Sequence, residues 1–200
     1  MTRVLRVLAK PWVSGLLVAG AVAVGFGFYW FQPWKLWVDD TVDETLPPVA
    51  AAPPVQVGLP ASSAGSTDST ASAPVTSAAP AGPGTLATGE FISHEHATSG
   101  SARIVRLADG SRILRLEDLD TSNGPALRVW LTDAPVKPGK DGWRVFDDST
   151  HVNLGELKGN KGNQNYTLPA DLDLARYTSV SIWCDRFDVS FGAAALTPPA

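Results

Sequence analysis

Residues 103–116 read Arg103-Ile-Val-Arg-Leu-Ala-Asp-Gly-Ser-Arg-Ile-Leu-Arg-Leu116, two short apolar and basic runs joined through Asp109-Gly110. Asp-Gly between such runs is a hairpin signal, because both central turn positions favour φ > 0. The same grammar recurs downstream. Asn123-Gly124-Pro125 precedes Ala126–Leu131, in which Leu127, Val129 and Leu131 share one face of a strand. Asp141-Gly142 precedes Trp143-Arg-Val-Phe146, and the run Val180–Phe191 closes the series. No window carries a sustained helical period. Strands spaced about 8–12 residues apart, with Gly, Pro and Asn at the turns, predict an all-β fold, an antiparallel sandwich of jelly-roll type.

Within the last run the apolar parity changes. Val180, Ile182 and Cys184 are even, whereas Phe187, Val189 and Phe191 are odd. Side chains of a strand alternate strictly, so a bulge, bend or tight turn is required near Cys184-Asp185-Arg186.

Working outward from this β-rich segment, at residues 89–197, the composition changes twice. Residues 45–88 hold eight of the sixteen prolines, no aromatic residue and one charge, Asp68. Such a stretch cannot bury enough apolar surface to offset its ordering entropy, and it reads as a disordered linker that lifts the domain from its anchor. Ahead of it, beyond the juxtamembrane residues 32–44, Trp12–Phe31 is a run of twenty uncharged residues, long enough to cross a bilayer as one helix. No small-residue cleavage site follows closely, so the helix reads as an uncleaved signal anchor. Arg3, Arg6 and Lys10 lie in the tail 1–11, whereas Asp39, Asp40, Asp43 and Glu44 follow the helix. Positive charge stays inside, which predicts a single-pass plasma-membrane protein with a cytoplasmic N-terminus and an extracytoplasmic domain. The bilayer is thus a partner through residues 12–31. Gly15, Ala19, Ala23 and Gly27 form a stripe of small residues that offers a face for self-association.

Charge and cysteine content exclude several classes. Sixteen basic and twenty acidic residues leave a net charge of −4, without the basic excess of a nucleic-acid-binding protein. One cysteine, Cys184, forbids an internal disulfide, a dithiol redox pair and a four-cysteine zinc site. The loop Leu154-Gly-Glu-Leu-Lys-Gly-Asn-Lys-Gly-Asn163 is rich in glycine and lysine but matches no phosphate-binding pattern, and no serine nucleophile motif is present.

Two features carry candidate chemistry. Cys184 is a lone thiol: either a small buried hydrophobe, or a redox thiol, an intermolecular disulfide or a metal ligand. Arg186 would lower its pKa, and Asp185 and Asp188 would oppose that. His94-Glu95-His96, if extended, projects both imidazoles from one face, and with Cys184 they form a candidate His₂Cys set for copper or zinc. The methionine that copper sites of this kind usually add is absent beyond Met1. His151 reads as a loop residue.

Taken in order, Phe91-Ile-Ser-His94, Ser99-Gly100, Gly124-Pro-Ala-Leu-Arg-Val-Trp-Leu131, Leu154-Gly-Glu-Leu-Lys-Gly159, Gly162-Asn-Gln-Asn-Tyr-Thr-Leu-Pro169 and Val180-Ser-Ile-Trp-Cys-Asp-Arg-Phe187 resemble the DM-thirteen domain. This small extracytoplasmic module is often found beside DOMON domains. The resemblance covers residues 89–197 and implies a β-sandwich-like fold and a proposed electron-transfer role centred on Cys184, with Trp183 and Phe187 as flanking aromatics. No DOMON or cytochrome segment accompanies it, so an extracytoplasmic redox partner is expected to be a separate protein. The alternative is a non-catalytic surface module that binds another protein or an envelope polymer, with Cys184 as packing.

Overall fold

The computed structural model describes residues 11–47 and 84–199. The basic tail up to Lys10 and most of the expected linker lie outside them. Helix α1 spans Pro11–Phe31, and its segment Trp12–Phe31 is long and apolar enough to cross a membrane. It ends for local reasons. Gln32 takes the left-handed conformation (φ 44°) and Pro33, which has no N–H to give, follows at the start of a 3₁₀ turn, Pro33–Trp37. Among the described residues, nothing lies within 4 Å of where a Cβ would stand at Gly15 or Gly27 of the small-residue stripe.

Among the described residues nine strands follow: β1 (Thr41–Asp43), β2 (Gly84–Ser93), β3 (Ser99–Arg106), β4 (Arg112–Asp120), β5 (Leu127–Thr132), β6 (His151–Glu156), β7 (Lys161–Thr167), β8 (Ser179–Cys184) and β9 (Val189–Ala195). The domain is all-β, as its turn pattern predicts. The two layers expected of a sandwich are the halves of one curled sheet ordered β1-β7-β4-β3-β2-β9-β8-β5-β6. Strand β2 joins them, pairing with β3 over Gly84–Glu90 and with β9 over Phe91–Ser93. Every neighbouring pair is antiparallel except β1 and β7. Strand β2 starts ahead of the composition boundary at Gly89, because its first residues pair with β3 and Leu86 and Ala87 pack against the main core.

The main core lies between the halves, with Ile104, Leu114 and Leu116 facing Val129, Leu131, Val180 and Ile182. Burying each such side chain contributes about 1.5–3 kcal/mol. Alternation sends Trp130, Trp183 and Ala193 to the outer face of β5, β8 and β9, where Ala134 and Phe146 complete a second cluster. Trp143–Phe146, which reads as a strand by its apolar pattern, is not one. The chain makes a 3₁₀ turn at Gly139–Gly142 and then lays Phe146, fully buried, over this outer face.

The β3–β4 hairpin forms at Asp109-Gly110, but only Gly110 has positive φ (85°). The Asp109 carboxylate instead accepts the Ser111 N–H (2.9 Å) and hydroxyl (2.6 Å), bracing the turn from its side chain.

Candidate functional site

The parity change at Cys184 resolves as a tight turn. Strand β8 ends on Cys184, residues 185–188 turn with Asp188 at φ 50°, and β9 begins at Val189. Cys184 belongs to the main core and is fully buried. Burial pushes its pKa up. Backbone hydrogen bonds from Arg186, Phe187 and Ala126 pull the other way without prevailing, and the charge of Glu95 reinforces the rise. The thiol is therefore held protonated.

The expected flanking aromatics do not converge on the sulfur. Trp183, one residue away, points to the opposite face of β8 and is buried in the outer cluster. Phe187 lies in the turn, 38% exposed, and stacks on Phe31 at the end of α1 (centroids 6.0 Å, planes 14° apart). Arg186 beside it covers the ring of Trp30 at 4.5 Å and donates to the Trp30 carbonyl. This satisfies one of the carbonyls that a helix C-terminus leaves free.

The His94, His96 and Cys184 metal set is not assembled. Residues 94–96 form a bend, so the two imidazoles do not share a strand face. His94 enters the outer cluster, with Nδ1 2.8 Å from the Ser190 hydroxyl and Nε2 3.0 Å from the Lys137 carbonyl. Nε2 must donate to that carbonyl, leaving Nδ1 as an acceptor, and burial lowers the pKa of the ring. His96 instead lies over Phe191 (3.9 Å) on the other side. Among the described residues no three His, Cys, Asp or Glu side chains converge as a metal site.

Three features were not foreseen in the sequence. The first is an aromatic stack on the outer face: His151 on Trp130 (3.7 Å), Trp130 on Trp183 (4.8 Å), Phe146 edge-on to Trp183 (6.5 Å) and His94 beside Phe146 (5.8 Å). The β5–β8 register brings Trp183 to Trp130 and the β5–β6 register brings His151, while loop packing adds Phe146 and His94.

The second is a groove for the chain that follows α1, at residues 38–44. Asn160, almost fully buried, accepts the Asp40 N–H (2.7 Å) and donates to Asp39 (2.8 Å) and the Thr121 carbonyl (2.7 Å). Asn123 donates to the Val38 carbonyl (3.0 Å) and to Asp40 (2.8 Å). Lys158 reaches Glu44 (2.6 Å), which also accepts the Asn165 N–H (2.8 Å). Burial alone would raise the pKa of Glu44, but Lys158 and that N–H outweigh it and hold the carboxylate below its ordinary range. The Gly-Lys-Asn loop thus grips backbone, not phosphate. A Cβ at Gly159 would fall 2.3 Å from the Asp40 carbonyl oxygen, and one at Gly162 (φ 95°) 2.1 Å from that of Val42. The signal was present as glycines and asparagines, but its partner lies across the linker.

The third is a cavity of about 220 Å³ between the end of α1 and the β8–β9 turn. Phe31, Phe187 and Phe191 form its walls, and His96, Lys35 and Gln32 bring hydrogen-bond donors. Lys35 already donates one proton to the Gly124 carbonyl (3.2 Å).

The family model described as Electron transfer DM13 matches residues 90–196. No curated protein and no solved structure matches the chain.

Proposed function

This chain belongs to the electron transfer DM13 family, which covers more than half of its length, and from that premise we propose a membrane-tethered electron-transfer domain with the thiol of Cys184 as redox centre. The observation that carries the reading is the meeting of the family's role with a single thiol at the end of β8, next to the β8–β9 turn. The apolar helix and the basic residues before it support a single-pass anchor in the plasma membrane with the domain outside.

A lone thiol exchanges electrons with a partner disulfide in a balanced step. Cys184 loses its proton to solvent and its sulfur attacks one sulfur of the partner. A mixed disulfide forms, and the other partner sulfur leaves as thiolate and takes up a proton. Opening of the turn at residues 185–188 would expose the sulfur. In the test, the full chain in detergent micelles meets a small-molecule disulfide under native conditions, and mass spectrometry follows adduct formation. A one-to-one adduct, lost in Cys184→Ser, is the expected result. Reaction only after denaturation would overturn it.

The complete burial of Cys184 favours a second reading, a non-catalytic surface module with the cysteine as packing. In that case Cys184→Ala changes stability alone.

A further inference from the structure

We infer that the cavity between the end of α1 and the β8–β9 turn is a binding site for the ring of a membrane quinone. The inference rests on the electron-transfer reading and names its membrane-side partner.

Three observations lead to this ligand class. The first is size. An apolar cavity of about 150 Å³ holds a benzene ring, so about 220 Å³ takes one substituted six-membered ring and leaves no room for a porphyrin.

The second is chemistry. The walls are flat, with Phe187 stacked on Phe31 and His96 lying over Phe191. The polar groups at the cavity include the donors His96, Lys35 and Gln32, and no carboxylate lines it. Such a lining favours an uncharged aromatic ring bearing carbonyl oxygens and disfavours an amine or a cation.

The third is position. Phe31 is the last residue of the membrane-length helix and forms one wall. The cavity therefore sits where an apolar tail can remain among acyl chains while its oxygenated ring reaches the headgroup layer. Lys35 is the one Lys or Arg side chain lining the cavity, and a single ammonium among aromatic walls leaves a phospholipid phosphate poorly matched.

The test uses the full chain in detergent micelles and a benzoquinone bearing one isoprenoid unit, with binding read from quenching of tryptophan fluorescence and corrected against empty micelles. Saturable one-to-one binding is expected. His96→Leu removes a donor to a ring carbonyl and should weaken binding by about three- to tenfold. Phe187→Ala should weaken it as well, and because Phe187 is partly exposed this second variant keeps its fold. Quenching no greater than in empty micelles would overturn the inference, as would unchanged affinity in both variants. Mole-for-mole competition by a straight-chain fatty alcohol would also overturn it, identifying a lipid-tail site instead. The readout involves no thiol chemistry, so its failure is distinct from failure of the Cys184 adduct.

Discussion

The indole of Trp130 lies nearly flat on that of Trp183, centroids 4.8 Å apart and planes 19° from parallel, although the two are not register partners. Trp130 stands opposite Ser181, and Trp183 opposite Arg128. They meet as diagonal neighbours on the outer face, within reach of large aromatic side chains. His151 covers the exposed side of the pair, and Phe146 packs against its buried end.

Trp183→Ala should therefore cost about 3–5 kcal/mol, the range for a fully buried indole. Trp130→Phe should cost less, since it keeps an aromatic ring in the stack and Trp130 Nε1 has no hydrogen-bond partner to lose among the described residues. Denaturant titration of the full chain in micelles checks both. Equal losses would show that the stack does not distinguish its two members as described.

Cys184 gives a pH signature. Its folded pKa is raised, so the native state holds the proton more tightly than the unfolded chain. The resulting stabilisation is fully present below the ordinary thiol range and is lost as pH rises through the folded value. Cys184→Ala should flatten this alkaline decline, at a cost of about 1–2 kcal/mol at neutral pH. Stability curves of the two proteins above neutrality would show it.

His94 acts in the opposite direction. Burial lowers its pKa, and its stabilisation is present above the ordinary imidazole range and lost as pH falls through the depressed folded value. Protonation would also place a proton on Nδ1, which faces the Ser190 hydroxyl. His94→Gln should reduce the acid sensitivity of unfolding. An unchanged acid limb would assign that sensitivity to the carboxylates.

Strand β1 can be released selectively. Asn160→Ala leaves the Asp40 N–H and the Thr121 carbonyl without their partner and should cost about 2–3 kcal/mol. Gly162→Ala forces a Cβ against the Val42 carbonyl at a positive φ. In both variants the amides of Thr41–Asp43 should exchange with deuterium faster than those of β8. In the wild type the same amides should loosen as pH falls through the carboxylate range, because the pKa of Glu44 is depressed in the fold.

Much of the architecture could be read from local chemistry. Asp109-Gly110 announced the β3–β4 hairpin, and the parity change announced the turn after Cys184. Residues whose roles depend on distant partners could not be read this way. Asn160 and Gly162 look like loop residues until Asp40 and Val42 are placed against them. Trp143–Phe146 has an apolar pattern suited to a strand, yet tertiary packing turns it into a cover for Trp183. His94 and His96 look like a pair only if their backbone is extended. The bend there sends one to Ser190 and the other to Phe191.

The parallel pairing of β1 with β7 alters the meaning of the proline-rich stretch. Both ends of that stretch attach to the same sheet, at β1 and β2. Shortening it or extending it should leave the spacing between α1 and the sheet unchanged. A protease that nicks it would release nothing, since the two fragments would stay associated through the pairing of β1 with β7. Only a cut combined with loss of the asparagine contacts would separate the β domain from α1.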